Sequence, residues 1–277
     1  MISYTYYNGD FDLTENIRIP LSDRSIYFGD GVYDAAVGRN GKIFLLQEHV
    51  DRLICNAKKI KIKDIPSCET ITKALLETVR RTQIPEFFLY FQITRAAPHR
   101  IHSAIEASSN LLVTITETKV AQSNSPISLI TAEDIRYFMC DVKSLNLLPS
   151  VMASTAAEES GCDEAVFHRG TIVTECAHSN ISIIKNGVLY THPLSNLILP
   201  GITRKHLLSA CEKIGIPYLE RAFTLKELFS ADEILVTSTS KLCRTAGKIN
   251  NMPVGQRDRL NAEKICDFLY KEYAEFC

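Results

Sequence analysis

The chain has 277 residues, of which 45% are hydrophobic and 23% are charged, and its formal net charge is −1. This length favours two domains over one, and the composition is that of a globular protein with a sizeable core. Because the net charge is small and there is no long basic run, nucleic acid is not expected as a partner, and no apolar run is long enough to span a bilayer.

Nine cysteines are spread along the chain, and none forms a Cys-x-x-Cys pair. The odd count and the wide spacing indicate free thiols in a reducing compartment and argue against a disulfide framework or a zinc site. The first residues lack a basic segment followed by an apolar core, so no secretory signal peptide is expected. The cytoplasm is the expected location.

The first part of the chain has the patterns of hairpins followed by helices and two further strands. Ser67 is predicted to cap the second helix, and the dense apolar strand after it is predicted to be central. The predicted elements are a strand at 2–7, a turn at 8–9, strands at 32–37 and 43–46, helices at 46–60 and 67–81, a strand at 87–94, a loop at 95–110 and a strand at 111–116.

The second part is richer in predicted strands. Pro149 is compatible only with the first turn of a helix, and Gly161 is predicted to end that helix. The predicted elements are a strand at 127–131, a helix at 147–160, strands at 163–168, 171–174, 180–184 and 188–191, a helix after Gly201, a strand at 233–237 and a helix at 257–276. The pattern indicates an α+β protein with domains at 1–118 and 126–277 joined by a linker at 119–125.

The segment around Lys143 carries the main hypothesis about function. Lys143 lies where a polar stretch passes into an apolar, helix-like run, and Glu175 comes directly after the strand predicted at 171–174. A lysine that forms a Schiff base needs a half-buried site, because only the neutral amine attacks a carbonyl and burial lowers the lysine pKa. The hypothesis is that Lys143 carries an aldehyde cofactor as a Schiff base and that Glu175 sets the electronics of that cofactor. For a lysine considered alone, a solvated position is the commoner outcome.

A phosphorylated aldehyde cofactor also needs an anion site, made of backbone amides at a helix start with hydroxyls and an arginine. The chain offers Gly201-Ile202-Thr203 before a helix, Ser238-Thr239-Ser240 at a strand end, and Arg52 on a helix face. Each also has a plain structural interpretation, as a helix cap, a turn and a solvated charge respectively.

Other motifs are weaker. His99-x-x-His102 is a loop pair without a third ligand, so no metal is expected. The segment Gly29–Asp34 begins like a dinucleotide-binding fingerprint, but it lacks the last glycine and leads into a strand instead of a helix. Neither a Gly-x-Ser-x-Gly elbow nor a phosphate-binding Gly-x-x-x-x-Gly-Lys loop occurs in the sequence.

Taken in order, eight short motifs resemble the class IV pyridoxal-phosphate aminotransferases over nearly the whole chain. That family includes D-amino-acid aminotransferases, branched-chain aminotransferases and aminodeoxychorismate lyases. The motifs are Phe28-Gly29-Asp30-Gly31-Val32-Tyr33, Glu48-His49-Val50-Asp51-Arg52, Lys143-Ser144-Leu145-Asn146, Gly161-Cys162-Asp163-Glu164-Ala165, Thr174-Glu175, Ser179-Asn180, Leu199-Pro200-Gly201-Ile202-Thr203-Arg204 and Thr237-Ser238-Thr239.

The resemblance implies fold-type IV, with a small N-terminal α/β domain and a larger C-terminal β-rich pseudo-barrel domain, and pyridoxal 5′-phosphate as the cofactor. It implies that Lys143 is the Schiff-base lysine and moves a proton between the substrate Cα and cofactor C4′. Glu175 would keep the pyridine nitrogen protonated, and Leu199 would pack on the ring. The implied phosphate ligands are Arg52, Ile202, Thr203, Ser238 and Thr239.

Within the family, two features are closest to the D-amino-acid branch. One is the segment 143–148, and the other is the loop 94–102, which resembles the loop that binds the substrate α-carboxylate in that branch. The resemblance implies that Tyr33, Arg100 and His102 bind the carboxylate, since arginine offers a planar fork and the others add donors. In those relatives the neighbouring subunit supplies the loop, so a homodimer is implied. The alternative for Arg100 and His102 is a solvated loop position.

The implied reaction is transamination between a D-amino acid such as D-alanine and a 2-oxo acid such as 2-oxoglutarate. Three positions depart from the D-amino-acid pattern. Asp34 stands where those relatives carry glutamate, His178 lies in a segment that is Gly- and Ser-rich in them, and Arg244 lies in a more basic stretch without the usual proline. The alternatives are an aminodeoxychorismate lyase, an L-branched-chain aminotransferase, and a cofactor-holding protein without turnover.

Overall fold

The computed structural model describes residues 3–97, 99–104, 107–120, 122 and 125–276. These residues form fifteen strands and seven helices. None of the helices in the described ranges is both long enough and apolar enough to cross a membrane. The chain divides into two units, one made of Met1–Val120, Val142–Asn146 and Phe276–Cys277 and the other of Ala121–Asp141 and Leu147–Glu275.

The predicted linker at 119–125 includes positions 121, 123 and 124, which lie outside the described residues. The domain boundaries drawn beside it therefore stay predictions. The short segment Val142–Asn146, which follows that linker in the chain, belongs to the first unit. The segment that carries Lys143 is thus grouped with the N-terminal elements, although it lies after the linker in sequence.

The first unit is an antiparallel sheet covered by helices. The sheet order is β2-β1-β6-β5-β3-β4, which places the predicted central strand, β5, between β6 and β3. The elements are β1 (Ser3–Tyr7), β2 (Asp10–Leu13), α1 (Ser25–Phe28), β3 (Gly31–Arg39), β4 (Lys42–Ile43), α2 (Leu46–Lys59), α3 (Cys68–Thr82), β5 (Glu86–Ala96) and β6 (Ser108–Glu117).

Apolar residues at helical spacing on α2 and α3 form one core with the sheet. Val50, Leu53 and Ala57 on α2 are fully buried, as are Ile71 and Leu75 on α3. This is the stripe that the sequence predicts, because residues three and four apart share one helix face. The predicted cap of α3 is also confirmed, since the Ser67 side chain accepts a hydrogen bond from the Thr70 backbone amide.

Two local predictions for this unit were wrong, and one short helix was missed. The strand predicted at 43–46 ends at Ile43, because Leu45 has a left-handed backbone conformation (φ 52°) that turns the chain into α2. The loop predicted at 95–110 is shorter, since Arg95 and Ala96 pair with Ser109 and Ser108 in the sheet. The helix α1 was missed because four residues are too few to show a period. Residues 2, 98, 105 and 106, which fall in predicted elements, lie outside the described residues.

The second unit is larger and richer in strands. Its nine strands lie in the order β12-β11-β10-β13-β14-β7-β8-β9, with β15 beside β14. The elements are β7 (Ile127–Glu133), α4 (Leu148–Glu159), β8 (Glu164–Arg169), β9 (Ile172–Cys176), β10 (Asn180–Lys185), β11 (Val188–Thr191), α5 (Ile202–Ile214), β12 (Tyr218–Glu220), α6 (Leu225–Phe229), β13 (Glu233–Ser238), β14 (Leu242–Ile249), β15 (Met252–Pro253) and α7 (Arg259–Phe276).

The predicted strands of this unit are confirmed, but β12, β14, β15 and α6 were missed. The strand β14 pairs with β13 on one side and β7 on the other, so it lies inside the sheet although Arg244 and Lys248 interrupt its apolar residues. The short helix α6 begins with a capping box, in which the Thr224 hydroxyl accepts from the Glu227 amide and the Glu227 carboxylate accepts from the Thr224 amide. The α+β class expected from the sequence is confirmed.

Candidate active site

Lys143 is held against the first residues of β3. The Tyr33 amide donates a hydrogen bond to the Lys143 carbonyl (2.9 Å), and the Leu145 amide donates one to the Gly31 carbonyl (3.1 Å). Lys143 is half-buried, and its Nζ lies 4.3 Å from the centroid of the Tyr33 ring. An ammonium at this distance from an aromatic face is attracted to it, so the backbone pairing and the ring together orient the amine. This brings two of the predicted site residues, Lys143 and Tyr33, into contact.

A glycine makes this approach possible. A Cβ on Gly31 would lie 2.8 Å from Leu145 Cδ1 and 2.9 Å from the Ile93 carbonyl oxygen. Both distances are shorter than side chains tolerate, and the second involves backbone that is fixed in β5. Gly31 therefore allows the Lys143 segment to lie directly on β3.

Arg52 lies on α2 and forms a paired interaction with Asp34 of β3. Its Nε donates to Asp34 Oδ2 (2.7 Å) and a terminal nitrogen donates to Oδ1 (2.8 Å), while His49 Nδ1 lies 2.7 Å from Oδ1. Burial alone would raise the pKa of Asp34, but the charge and hydrogen bonds of Arg52, with those of His49, outweigh it and hold the pKa well below its usual range. The ionised carboxylate thus uses two of the five donors of the guanidinium and fixes its plane.

Arg100 and His102 lie on the exposed loop after β5 and meet at Phe28. The Arg100 guanidinium carbon is 5.1 Å from the Phe28 ring centroid, and the His102 ring centroid is 5.3 Å from it. Buried Arg24 holds the loop in place. Its guanidinium donates to the carbonyls of Ile101 and His102, and its Nε pairs with Asp30. The loop is therefore tied to α1.

The structure does not bring this loop to Lys143 within the first unit. No hydrogen bond, ion pair or ring contact joins Arg100 or His102 to Lys143 or Tyr33 among the residues described there. The sequence prediction places the loop at the site of a neighbouring subunit, so its role in binding the carboxylate stays a prediction.

Glu175 is a buried carboxylate on β9 with several donors. Its Oε1 accepts from Arg136 (2.6 Å), and its Oε2 accepts from Asn180 Nδ2 (2.9 Å) and the Leu199 amide (3.0 Å). Charged hydrogen bonds of this kind favour the ionised carboxylate. An ionised carboxylate is suited to accept a hydrogen bond from a protonated pyridine nitrogen.

Arg136 is itself held by a second buried carboxylate, Asp134. Arg136 Nε lies 2.9 Å from Asp134 Oδ1, Arg169 Nε lies 3.1 Å from Oδ2, and the Arg136 guanidinium stacks 4.6 Å from the Phe167 ring centroid. Burial alone would raise the pKa of Asp134, but Arg136 and Arg169 lower it below its usual range. Sequence reasoning missed Arg136, and nothing in the spacing around it signals the interaction with Glu175.

Asn180 connects the predicted residues of the second unit. Its amide nitrogen donates both to Glu175 and to the Leu199 carbonyl (3.0 Å). A Cβ on Gly201 would lie 1.9 Å from Asn180 Oδ1, so only glycine fits between Leu199 and the start of α5. Asn180 is also the register partner of Thr237, beside Ser238 and Thr239. The sequence motif includes Asn180, but its role follows only from these contacts.

These residues fit a phosphorylated pyridine cofactor. The helix α5 begins at Ile202 and Thr203 without a capping side chain, which leaves first-turn amides for an anion. The hydroxyl of Thr237, at the end of β13 just before Ser238 and Thr239, is buried and has no hydrogen-bond partner in the described part of the chain. The helix α5 packs on β13, the strand that ends at Ser238.

His178 does not contact Glu175 in the described residues. Its Nδ1 lies 2.7 Å from Glu164 Oε2 and 3.2 Å from Ser179 Oγ, and about half of its side chain is exposed. Arg244 donates to the Ser125 carbonyl (2.7 Å). Both departures from the family pattern are thus engaged with other parts of the second unit.

Comparison with known proteins identifies the family. The family described as amino-transferase class IV matches residues 31–249. A D-alanine aminotransferase of Listeria monocytogenes serotype 4b (strain F2365) is 38% identical over 272 residues, which cover 95% of this chain and 93% of the relative.

Solved structures share the whole fold. A branched-chain aminotransferase of Thermoproteus uzoniensis, solved with norvaline, has a TM-score of 0.90 at 24% identity and covers 100% of this chain and 98% of its own. The branched-chain amino acid aminotransferase of T.th., complexed with N-(5'-phosphopyridoxyl)-L-glutamate, has a TM-score of 0.89 at 21% identity, with coverages of 98% and 94%. At these identities the likeness shows the fold, and the expected fold-type IV is confirmed.

The family match spans most of the chain, and the Listeria relative matches it almost from end to end. The expectations of an aminotransferase and of its cofactor are therefore confirmed. The chain belongs to the class IV aminotransferases, enzymes that depend on pyridoxal 5′-phosphate.

Proposed function

We propose that this enzyme transfers the amino group of a D-amino acid, with D-alanine and 2-oxoglutarate as a pair that gives pyruvate and D-glutamate. The observation that carries the proposal is the 38% identity to a D-alanine aminotransferase over 95% of the chain. The segment 143–148 and the loop 94–102 support it, because both resemble the D-amino-acid branch. The expected location is the cytoplasm, and the expected assembly is a homodimer.

Bound pyridoxal 5′-phosphate supplies an electron sink, which lets the substrate Cα lose its proton. Lys143 Nζ would take that proton and return it at cofactor carbon C4′, and Glu175 would keep the pyridine nitrogen protonated. Leu199 would pack on the cofactor ring. The phosphate would be held by Arg52, Ile202, Thr203, Ser238 and Thr239.

The preference for the D or the L configuration of the substrate follows from where its carboxylate is held. Lys143 serves one face of the planar reacting centre, so the anchor of the carboxylate decides which face of Cα carries the proton. Tyr33, Arg100 and His102 provide that anchor, with Arg100 and His102 contributed by the neighbouring subunit. The position of Arg100 and His102 on an exposed loop that Arg24 ties to α1 supports a role across an interface.

A spectral titration tests the proposal. Purified holoenzyme is mixed with D- and L-isomers of alanine, glutamate and leucine, and conversion of the cofactor to its amine form is followed by absorbance. We expect conversion with D-alanine and D-glutamate, and regeneration by 2-oxoglutarate. Conversion by L-leucine without conversion by D-alanine would identify an L-branched-chain aminotransferase instead. Lys143→Ala, which lacks the amine, is the control.

Two further outcomes separate the remaining alternatives. Absence of conversion across the panel, in protein that retains the cofactor, would contradict the proposal and favour a cofactor-holding protein. Release of pyruvate from aminodeoxychorismate without conversion by D-alanine would favour a lyase.

Arg100→Ala should raise the KM for D-alanine, and an unchanged KM would remove that loop from the carboxylate site.

A further inference from the structure

We propose that Cys243 and Cys266 form a dithiol site that a hydroperoxide oxidises to a disulfide, which joins β14 to α7. Both residues lie in the second unit. Cys243 is on β14, where it pairs with Thr237 of β13, and Cys266 is on α7. Neither cysteine is assigned to the aminotransferase reaction, so the inference does not depend on which substrate the enzyme uses.

The two thiols meet in one apolar core. Cys243 is buried in a cluster that α5, α7 and the sheet form, and Cys266 packs against that cluster. The two thiols are also in hydrogen-bond contact. A disulfide requires its sulfur atoms to close to about 2 Å, which thiols already in contact can reach by rotation of their side chains. The fold thus places two distant positions of the sequence ready for a covalent bond.

The two thiols differ in their access to solvent. Cys266 is half-buried and lines a cavity with an empty volume of about 400 Å³, including its opening to solvent. Cys243 is only 7% exposed. Its contact with Cys266, together with burial, raises the pKa of Cys243 well above its ordinary value, so Cys243 stays a thiol. Hydrogen peroxide that enters the cavity therefore meets Cys266 first.

The oxidation takes place in two steps, and hydrogen peroxide is the oxidant. The Cys266 thiolate attacks one peroxide oxygen, the O–O bond breaks, and the other oxygen leaves as hydroxide, which gives a sulfenic acid at Cys266. The Cys243 sulfur then attacks the Cys266 sulfur, and the sulfenic hydroxyl leaves with the Cys243 proton as water. The two thiols lose two electrons in total, and one peroxide becomes two water molecules. A small dithiol reverses the reaction by thiol–disulfide exchange.

A third cysteine, Cys211, lies in the same core. It is completely buried, and burial raises its pKa to about 11, so it also stays protonated. No group of three or more His, Cys, Asp or Glu side chains in the described ranges is placed to hold a metal ion, so the cluster is not a metal site. The thiol contact between Cys243 and Cys266 makes these two the expected pair.

Mass mapping of the oxidised holoenzyme tests the proposal. The reduced holoenzyme is treated with a small molar excess of hydrogen peroxide, the remaining thiols are alkylated, and the chain is digested. We expect two peptides joined through positions 243 and 266, which dithiothreitol separates. Absence of this joined pair, or pairing of Cys266 mainly with Cys211, would overturn the proposal.

Variants assign the role of each thiol. In Cys243→Ala, dimedone should trap at least about 5-fold more sulfenic acid at Cys266 than in wild type, because no second thiol consumes it. Cys266→Ser keeps the size of the side chain and should leave Cys243 reduced, which tests the site even if Cys243→Ala fails to fold. Cys162→Ser removes another half-buried thiol of the second unit and should leave the disulfide unchanged. Equal trapping at Cys266 in wild type and Cys243→Ala, or undiminished oxidation of Cys243 in Cys266→Ser, would contradict the proposed pair.

Discussion

At the scale of single residues, each unit contains a buried carboxylate that is paired with an arginine. Asp34 is paired with Arg52 and His49 in the first unit, and Glu175 is paired with Arg136 in the second. A buried carboxylate without a cation would be protonated, because burial disfavours the charged form. The arginine beside each carboxylate therefore favours its ionised form.

Asp34→Asn should destabilise the enzyme by about 3 kcal/mol at neutral pH, because it removes the buried carboxylate that is paired with Arg52 and His49. Urea unfolding measures this difference. The folded pKa of Asp34 lies below the unfolded value of about 3.9, so its contribution is complete above that pH and is lost as pH falls through the folded pKa. The difference from wild type should shrink below about pH 4. Asp51→Asn, on the exposed face of α2, is the control, and a similar loss there would contradict the argument.

Arg136→Gln should lower kcat for D-alanine at least tenfold, about 1.4 kcal/mol in activation free energy, because Glu175 becomes a poorer partner for a protonated pyridine nitrogen. The pH dependence of the cofactor absorbance should shift as well, which a purely structural role would not cause. Arg136→Lys keeps the charge and should recover part of the activity. Arg169→Gln, which also removes a partner of Asp134, should have a much smaller effect. Equal losses of kcat in Arg136→Gln and Arg169→Gln would show that the effect comes from the contacts with Asp134 and not from the contact with Glu175.

At the scale of elements, two close approaches of backbone position the predicted catalytic groups. The segment Val142–Asn146 lies on β3 at Gly31, and the start of α5 lies beside Asn180 at Gly201. In each case a Cβ would occupy space that a neighbouring residue already fills. Glycine is needed there for space, since neither Gly31 nor Gly201 has a positive φ.

Gly201→Ala should reduce the affinity for pyridoxal 5′-phosphate at least tenfold, because the added Cβ displaces either Asn180 or the first turn of α5. Fluorescence titration of the apoenzyme measures this affinity. Gly215→Ala lies at the other end of the same helix, where φ is 76° and a Cβ meets open space. It should cost about 1 kcal/mol of stability and leave the affinity unchanged. Equal affinities for both variants would argue against the arrangement around Asn180.

Gly31→Ala should lower the fraction of enzyme that carries covalently attached cofactor, because the Lys143 segment must move away from β3. The overpacking should also cost about 1 to 3 kcal/mol of stability. Borohydride reduction followed by mass measurement gives the attached fraction. Gly170→Ala is the comparison, since it strains a turn without contacting other atoms, and it should retain full attachment. Full attachment in Gly31→Ala would contradict this role of glycine.

At the scale of the whole molecule, the proposed homodimer makes each site depend on two chains. The exposed loop with Arg100 and His102 is tied to α1 of its own chain, and it makes no hydrogen bond or ring contact with Lys143 among the described residues of the first unit. If the loop serves the partner's site, a mixed dimer can combine a chain with a substituted loop and a chain with an intact loop. Mixing two impaired variants therefore distinguishes a loop that serves the partner's site from a loop that serves the site of its own chain.

Lys143→Ala and Arg100→Ala chains, each impaired alone, should complement one another when they are mixed, unfolded and refolded together. One site of each mixed dimer then has an intact Lys143 and an intact Arg100 from the partner, so activity should reach about a quarter of wild type. Initial rates with D-alanine at low concentration measure it. Refolding each variant alone is the control. Activity no higher than the average of the two variants would place the loop in the site of its own chain.

The sequence by itself determined most helices and strands of both units, and it supplied the predicted site residues, whose roles stay predictions. The stripes on α2 and α3 and the cap at Ser67 are local, so a period or a single residue type predicts them. The short motifs around Lys143 and Glu175 are also local, and their order along the chain was enough to indicate the family and its cofactor.

Only the tertiary structure decided which groups act on those residues. Arg136 reaches Glu175, Asn180 joins Glu175 to Leu199, and the Lys143 segment pairs with β3, all through contacts between positions that sequence spacing does not relate. The strand β14 lies inside a sheet because β13 and β7 supply its hydrogen bonds, although its polar residues prevent its prediction from the sequence. Local patterns determine an element's own conformation, whereas its partners depend on how distant segments satisfy their buried polar groups.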